Sequence, residues 1–355
     1  MILAIKKTPF RSKILFWHVV FILLLITFAI ADIFLGSVLI NPGEVIKSLL
    51  QDPEIDSATR SIVTQIRLPK ALTAIFAGAA LSISGLLLQT LFRNPLAGPS
   101  VLGITSGAGL GVAAILLSSG LNTSVIAIRQ LGIGESYIMF GAASAGSLFV
   151  LLVIMAVASR VRDNVILLII GIMVGNLTIS IVSIWQYFSR PEEIQSFIFW
   201  TFGSLGAVDL DHLLLMIVPV VLLLIISFLF SHRLNIFLLG EDGAKSLGIN
   251  TKTVRWIIII ISSMLTGIIT GLCGPIGFIG IAVPHLARAI FNTDNHKYLI
   301  PACILIGAIL LLFSDIVSRL PGSQFILPIN AITALIGSPV VIWVILKRKS
   351  FNRSF

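Results

Sequence analysis

Apolar runs alternate along this chain with short polar breaks, and the runs have the length of a bilayer. A membrane-crossing helix needs about 20 mostly apolar residues. Nine stretches qualify directly: 14–36, 71–92, 101–118, 137–159, 165–188, 213–230, 256–273, 298–318 and 325–346. A tenth, 275–291, is short and carries Pro284, His285 and Arg288, so hydropathy alone leaves it open. The stretch 14–36 is too long for a signal-peptide core and lacks a small-residue cleavage site, so it reads as a first span. Residues 195–208 (QSFIFWTFGSLGAV) are apolar but too short to cross, which fits a half-inserted or surface helix on the outer face.

Composition narrows the class to an all-α polytopic membrane protein. Of 355 residues, 57% are apolar and 11% charged, and the mean hydropathy is +1.08. A soluble domain of that composition would have too little polar surface to face water. The net charge of +9 points to membrane sidedness, not nucleic acid. With ten spans and a cytoplasmic N-terminus, the inner side carries 17 of the 24 Lys and Arg residues and the outer side 7. With nine spans, Lys347, Arg348 and Lys349 would fall outside and the bias would weaken. The expectation is one transmembrane domain over 1–355, crossing ten times, with both termini cytoplasmic. Cys273 and Cys303 lie in or beside apolar runs and read as packing residues.

The break after the second span is unusual. Residues 93–111, RNPLAGPSVLGITSGAGLG, place an Arg-Asn-Pro corner at membrane depth, where irregular backbone survives only inside protein or along a cavity. Pro95 and Pro99 forbid a continuous helix, while Gly103, Gly107 and Gly111 bare one helical face for a close neighbour. GPSVLGI (98–104) is echoed by GPIGFIGI (274–281), which holds Gly274, Pro275 and Gly277. The two corners lie at opposite orientations in the ten-span layout, the arrangement of inverted repeats, with spans 2–5 matching spans 7–10.

The largest cytoplasmic loop, 234–255, reads as two short helices. Glu241 and Asp242 suit a first turn, Ala244 and Leu247 share an apolar face, and Gly248 is a left-handed stop. Asn250 or Thr251 then caps a second helix, TKTVRW. On the outer side Arg67 and Lys70 share a helical face at the head of the second span, and Arg319 ends the ninth. Asp315 lies four residues before Arg319, a spacing that pairs and orients it, while Asp32 reads as solvated near the outer interface. Neither is assigned to a proton relay. His285 has no ligand partners at metal-site spacing and reads as capping or packing a broken helix, so no metal or other cofactor is expected. GAKS (243–246) lacks the glycine spacing of a phosphate loop.

Residues 67–111 resemble the signature of the FecCD-type permeases, the membrane subunits of type II ABC importers for iron chelates, haem and cobalamin. Three further blocks match in order: GEDGAKSLGINTKTVR (240–255), GPIGFIGIAVPHLAR (274–288) and ILPINAITALIGSPVVIWVILK (326–347). The resemblance implies a homodimer in the inner membrane with one pathway along its axis. Two cytoplasmic ATPase subunits and an extracytoplasmic substrate-binding protein would be its partners, and the chain itself would not be an enzyme. It further implies that 234–255, with Gly240, Glu241, Ala244, Leu247 and Gly248, couples to the ATPase. Arg67, Lys70 and Arg319 would receive acidic side chains of the binding protein. Lys70 stands where an arginine is common, which keeps charge but loses bidentate pairing. Asn94, Pro95 and Leu96 with Asn164 and Val165 match the cytoplasmic gate regions, although Val165 departs from the small polar residue often found there. An ion-driven secondary transporter using Asp32 and Asp315 is the alternative, but it would have no use for the loop at 234–255.

Overall fold

The computed structural model describes residues 9–117, 135–158, 160, 164–319 and 326–351, and among them the regular structure is helical. Helices α1 (Pro9–Phe34), α2 (Pro42–Leu49) and α3 (Ser57–Phe92) lead to a single 3-10 turn, Pro99–Leu102, and α4 (Ile104–Leu116). Then come α5 (Glu135–Ala158), α6 (Asn164–Phe188), α7 (Pro191–Thr201) and α8 (Leu210–Leu229). The short α9 (Ser231–Phe237) and α10 (Glu241–Ser246) precede α11 (Thr251–Cys273), α12 (Ile279–Phe291), α13 (His296–Ser318) and α14 (Ile329–Phe351). Seven described helices are long and apolar enough to cross a membrane, and three shorter apolar helices accompany them: α4, α12 and the first part of α14. Arg129 and Arg162, counted in the charge bias, lie outside the described residues, as do both chain ends.

The core is built around α3, whose apolar window is 83% buried, against 6% for the flanking α1. The cause is composition: Ala74, Ala77, Gly78, Ala80, Ser82, Ser84 and Gly85 bring neighbouring backbones in close. Gly78 meets the Gly307 carbonyl of α13, and Gly85 meets the Gly280 carbonyl of α12, so closely that a methyl group fits at neither. Gly280 is the residue four before Pro284. Proline has no N–H to bond that carbonyl, and α3 packs on it instead. Ser82 donates to the Cys303 carbonyl at 2.8 Å, and Ser84 lies 2.8 Å from the Thr266 hydroxyl of α11. Cys273 and Cys303 are buried free thiols, as their apolar surroundings predict.

Several elements differ from the pattern-based expectation. Pro284 lies inside a continuous helix; the break comes earlier, across 274–278, where Gly274 (φ 72°) and Phe278 (φ 66°) take left-handed backbone. TKTVRW is no separate helix but the first turns of α11, capped by the Asn250 side chain, which accepts from Thr253 N at 3.2 Å. The extra short helix sits upstream as α9. The apolar segment 195–208 begins earlier, at Pro191, because Pro suits a first helical turn and Glu193 accepts from Arg190 N at 3.2 Å. It ends in a short 3-10 turn, Leu205–Ala207.

Candidate gate corner, coupling loop and buried charge cluster

Helix α3 ends at Arg93, whose left-handed backbone (φ 48°) turns the chain out of the helix. The Asn94 side chain accepts from Leu96 N at 2.9 Å, and its carbonyl accepts from Ala97 N at 3.1 Å. Asn94 thus closes the corner that Pro95 stiffens. His285 of α12 donates from Nε2 to the Pro95 carbonyl at 2.8 Å, so its role is to tie α12 to this corner. Gln89 and Arg288 add a second tie at 2.6 Å, and Arg288 also pairs with Asp294 at 3.3 Å. Leu96 is 45% exposed. Asn164 opens α6, its side chain outside the described residues, and Val165 beside it is exposed. Helix α6 meets the chain beyond the corner where Gly103 abuts Gly175.

The two echoed stretches come together. Pro99 packs on Gly280 and Gly98 on Ile281, and a cleft of about 200 Å³ opens between the two stretches of irregular backbone. Its lining includes Ser100, Thr105, Thr266, Pro275, Gly277 and Asn330. The Asn330 side chain accepts from Gly277 N at 3.0 Å, and Cys273 O accepts from Ser204 N at 2.7 Å. The segment after α7 is thereby stitched to the break at 274–278. Gly107 and Gly111 serve a different neighbour: they pack α4 against Gly146 and Ala142 of α5, with no room for a methyl group.

In the loop at 234–255, Gly240 starts α10 with φ 91°, a conformation that L side chains rarely adopt. Gly248 ends it with φ 77°, and Ile249 N reaches back to the Ala244 carbonyl at 3.0 Å, the hydrogen-bonded stop that its glycine predicts. Ala244 and Leu247 do not share a surface. Ala244 is fully buried against the protein, whereas Leu247 is 58% exposed and carries the apolar outer face together with Leu239, 63% exposed. Glu241 has its backbone in the first turn, and its side chain lies outside the described residues. The Arg93 guanidinium rests beside Gly240, so that a Cβ there would stand 3.1 Å from Nη1.

At the other end of α3, the expected outer-face cations form an internal cluster. A π-helical turn, Ile62–Arg67, rotates Arg67 inward, where it donates to the carbonyls of Ile33 (3.0 Å), Phe34 (2.9 Å) and Val38 (2.6 Å) and closes the end of α1. Lys70 pairs with Asp315 at 3.0 Å. Arg319 pairs with Asp315 four residues earlier, as the spacing predicts, and with Asp32 at 2.6 Å. Asp32 is fully buried, not solvated, because α1 lays it directly on Arg319. Arg67, Lys70 and Arg319 are therefore buried and partnered in this conformation, not free charges on a surface.

Comparison with known proteins gives the arrangement a family. A model of the FecCD transport family matches residues 23–347. The chain belongs to the FecCD transport family. Vitamin B12 import system permease proteins named BtuC, from Salmonella paratyphi A and Salmonella typhi, are each 37% identical over 286 residues, covering 80% of this chain and 83% of theirs. A solved structure described as an inward-facing metal-chelate type ABC transporter superposes with a TM-score of 0.79 at 31% identity, over 93% of this chain and 98% of that one. The chain is accordingly a permease subunit of an ABC importer, a multi-pass protein of the inner membrane.

In this FecCD permease, sequence reasoning missed the close approaches Gly78–Gly307 and Gly85–Gly280, although small residues on α3 signal them. It also missed Thr90, Asn235 and His296, which share one hydrogen-bonded chain, buried at Thr90 and His296 and half-buried at Asn235. A lone histidine at a predicted span edge carries no sequence signal of that kind.

Proposed function

We propose that this permease crosses the membrane ten times, with both termini in the cytoplasm, and pairs with a second copy around one pathway for an iron chelate, haem or cobalamin. Seven long and three short apolar helices support the count, together with the bias of Lys and Arg toward one side. Inverted repeats are supported by α4 and α12, both 13 residues long, each following a Gly-Pro break and meeting at one cleft. The named relatives support the substrate range. Energy comes from two cytoplasmic ATPase subunits docked on the loop at 234–255, and the permease itself performs no hydrolysis. Asn94, Pro95 and Leu96 form the cytoplasmic gate with Asn164 and Val165, the exposed Leu96 facing its copy as a hydrophobic constriction. Acidic side chains of the binding protein address the Arg67, Lys70 and Arg319 region, where they compete with Asp32 and Asp315.

The observation that carries this reading is the exposed Leu247 at the end of a short helix whose start rests on Arg93, next to the gate corner. A surface that docks an ATPase beside a gate is what a nucleotide-driven importer needs, and an ion-driven carrier does not. The test places a cysteine at Leu96 in the complete transporter. Cross-linking to its twin, or labelling by a thiol reagent, is expected to change between the nucleotide-free and nucleotide-trapped states. Equal reactivity in every state would refute the gate assignment. Retention of one chelate by the partner binding protein identifies the cargo.

A further inference from the structure

Two contacts join the last turn of α3 to the loop at 234–255. One is Arg93 on Gly240. The other centres on a buried histidine. His296, the first residue of α13, is 1% exposed, so both its ring nitrogens need partners inside the protein. Nδ1 lies 2.9 Å from Asn235 Oδ1, and the backbone N of His296 donates to the same oxygen at 2.8 Å. Asn235 sends its amide nitrogen the other way, to Asn295 Oδ1 at 2.9 Å. That fixes Oδ1 as the acceptor, and Nδ1 of the imidazole as the protonated nitrogen in the tautomer this network assigns. Nε2 then accepts from the Thr90 hydroxyl at 2.8 Å. The Thr90 hydroxyl also lies 2.9 Å from the Leu86 carbonyl, its own helix's i−4 acceptor. A hydroxyl has one proton, so donation to His296 and donation to Leu86 are alternatives.

We propose that His296 is the positioning residue that carries motion of the coupling loop to the gate corner, through the chain Asn235–His296–Thr90. The inference rests on the importer reading above. Asn235 sits on α9, which turns directly into α10 through Gly240 N bonded to the Phe237 carbonyl at 3.0 Å, so the two short helices are joined without a flexible linker. Thr90 sits one helical turn before Asn94, where α3 becomes the gate corner. When the ATPase pulls Leu247 and α10, the pull reaches α3 through His296. If the chain breaks, Thr90 satisfies itself on Leu86, and α3 no longer follows. The two proton positions of Thr90 supply the two-state element that such coupling requires.

The experiment uses the full transporter with its ATPase, carrying the Leu96→Cys label, and compares maleimide labelling rates without nucleotide and with nucleotide trapped by vanadate. Thr90→Val keeps the side-chain shape and removes the hydroxyl; His296→Phe keeps a ring and removes both nitrogens. Each is expected to shrink the nucleotide-dependent ratio of labelling rates by roughly fivefold, the equivalent of about one net hydrogen bond. Thr90→Ser is expected to restore it, which a purely space-filling role would not predict. An unchanged ratio in Thr90→Val overturns the relay, even if His296→Phe fails to fold. If the parent Leu96→Cys shows no nucleotide dependence while the ATPase still binds, the gate assignment falls and the relay with it. If the ATPase does not bind at all, the docking assignment at 234–255 is what has failed.

Discussion

Replacing Asp315 with asparagine removes one negative charge from a site where three cations face two carboxylates. Asp315 is buried between Lys70, at 3.0 Å, and Arg319. At an effective dielectric constant of about 20, a unit pair at that separation is attracted by roughly 5 kcal/mol before desolvation is counted. Breaking one partner of a buried pair costs about 3–5 kcal/mol, because the remaining charge stays buried without compensation. The asparagine side chain keeps the shape of the carboxylate it replaces, so the loss is electrostatic and not a cavity. For a chain of this size the apparent melting temperature of the purified permease should fall by roughly 4–7 °C. The paired variant Lys70→Met with Asp315→Leu removes both charges, leaves Arg319 with Asp32, and is expected to recover most of the fall. Melting of Asp315→Asn within about 1 °C of the parent would show that the cluster is solvated and contributes little. A double variant worse than the single one would equally refute the pairing of Lys70 with Asp315.

Gly85→Ala should destabilise the permease by about 1–3 kcal/mol or more, read as lower yield and a lower melting temperature, because the added methyl meets the rigid Gly280 carbonyl. Gly141→Ala meets nothing within 4 Å and serves as the neutral control. Leu247→Asp exposes no cavity and should leave the permease folded, yet weaken ATPase docking by several kcal/mol by placing an unpaired charge in the interface. Normal uptake and normal co-purification of the ATPase with that variant would remove Leu247 from the docking surface.

The membrane class, the helical breaks begun at Arg93-Asn94-Pro95 and at Gly274-Pro275, the glycine stop at Gly248 and the pair Asp315–Arg319 were legible in the chain itself. Each is set by residues within a few positions of one another: run length, proline chemistry, the backbone freedom of glycine, helical spacing. The tertiary structure decided what depends on distant partners. Asp32 is separated from Arg319 by 287 positions, and only the laying of α1 on α13 buries both, turning a presumed surface charge into an internal one. Ala244 lies in α10 and Leu247 at its C-terminal cap, but the protein body behind α10 chooses which is hidden. His296 meets Thr90 across 206 positions and Asn235 across 61, by the packing of α13 on α3 and α9. Hydropathy measures whether a residue prefers lipid to water; it carries no information on which polar groups a buried side chain will find, and that pairing follows from helix packing alone.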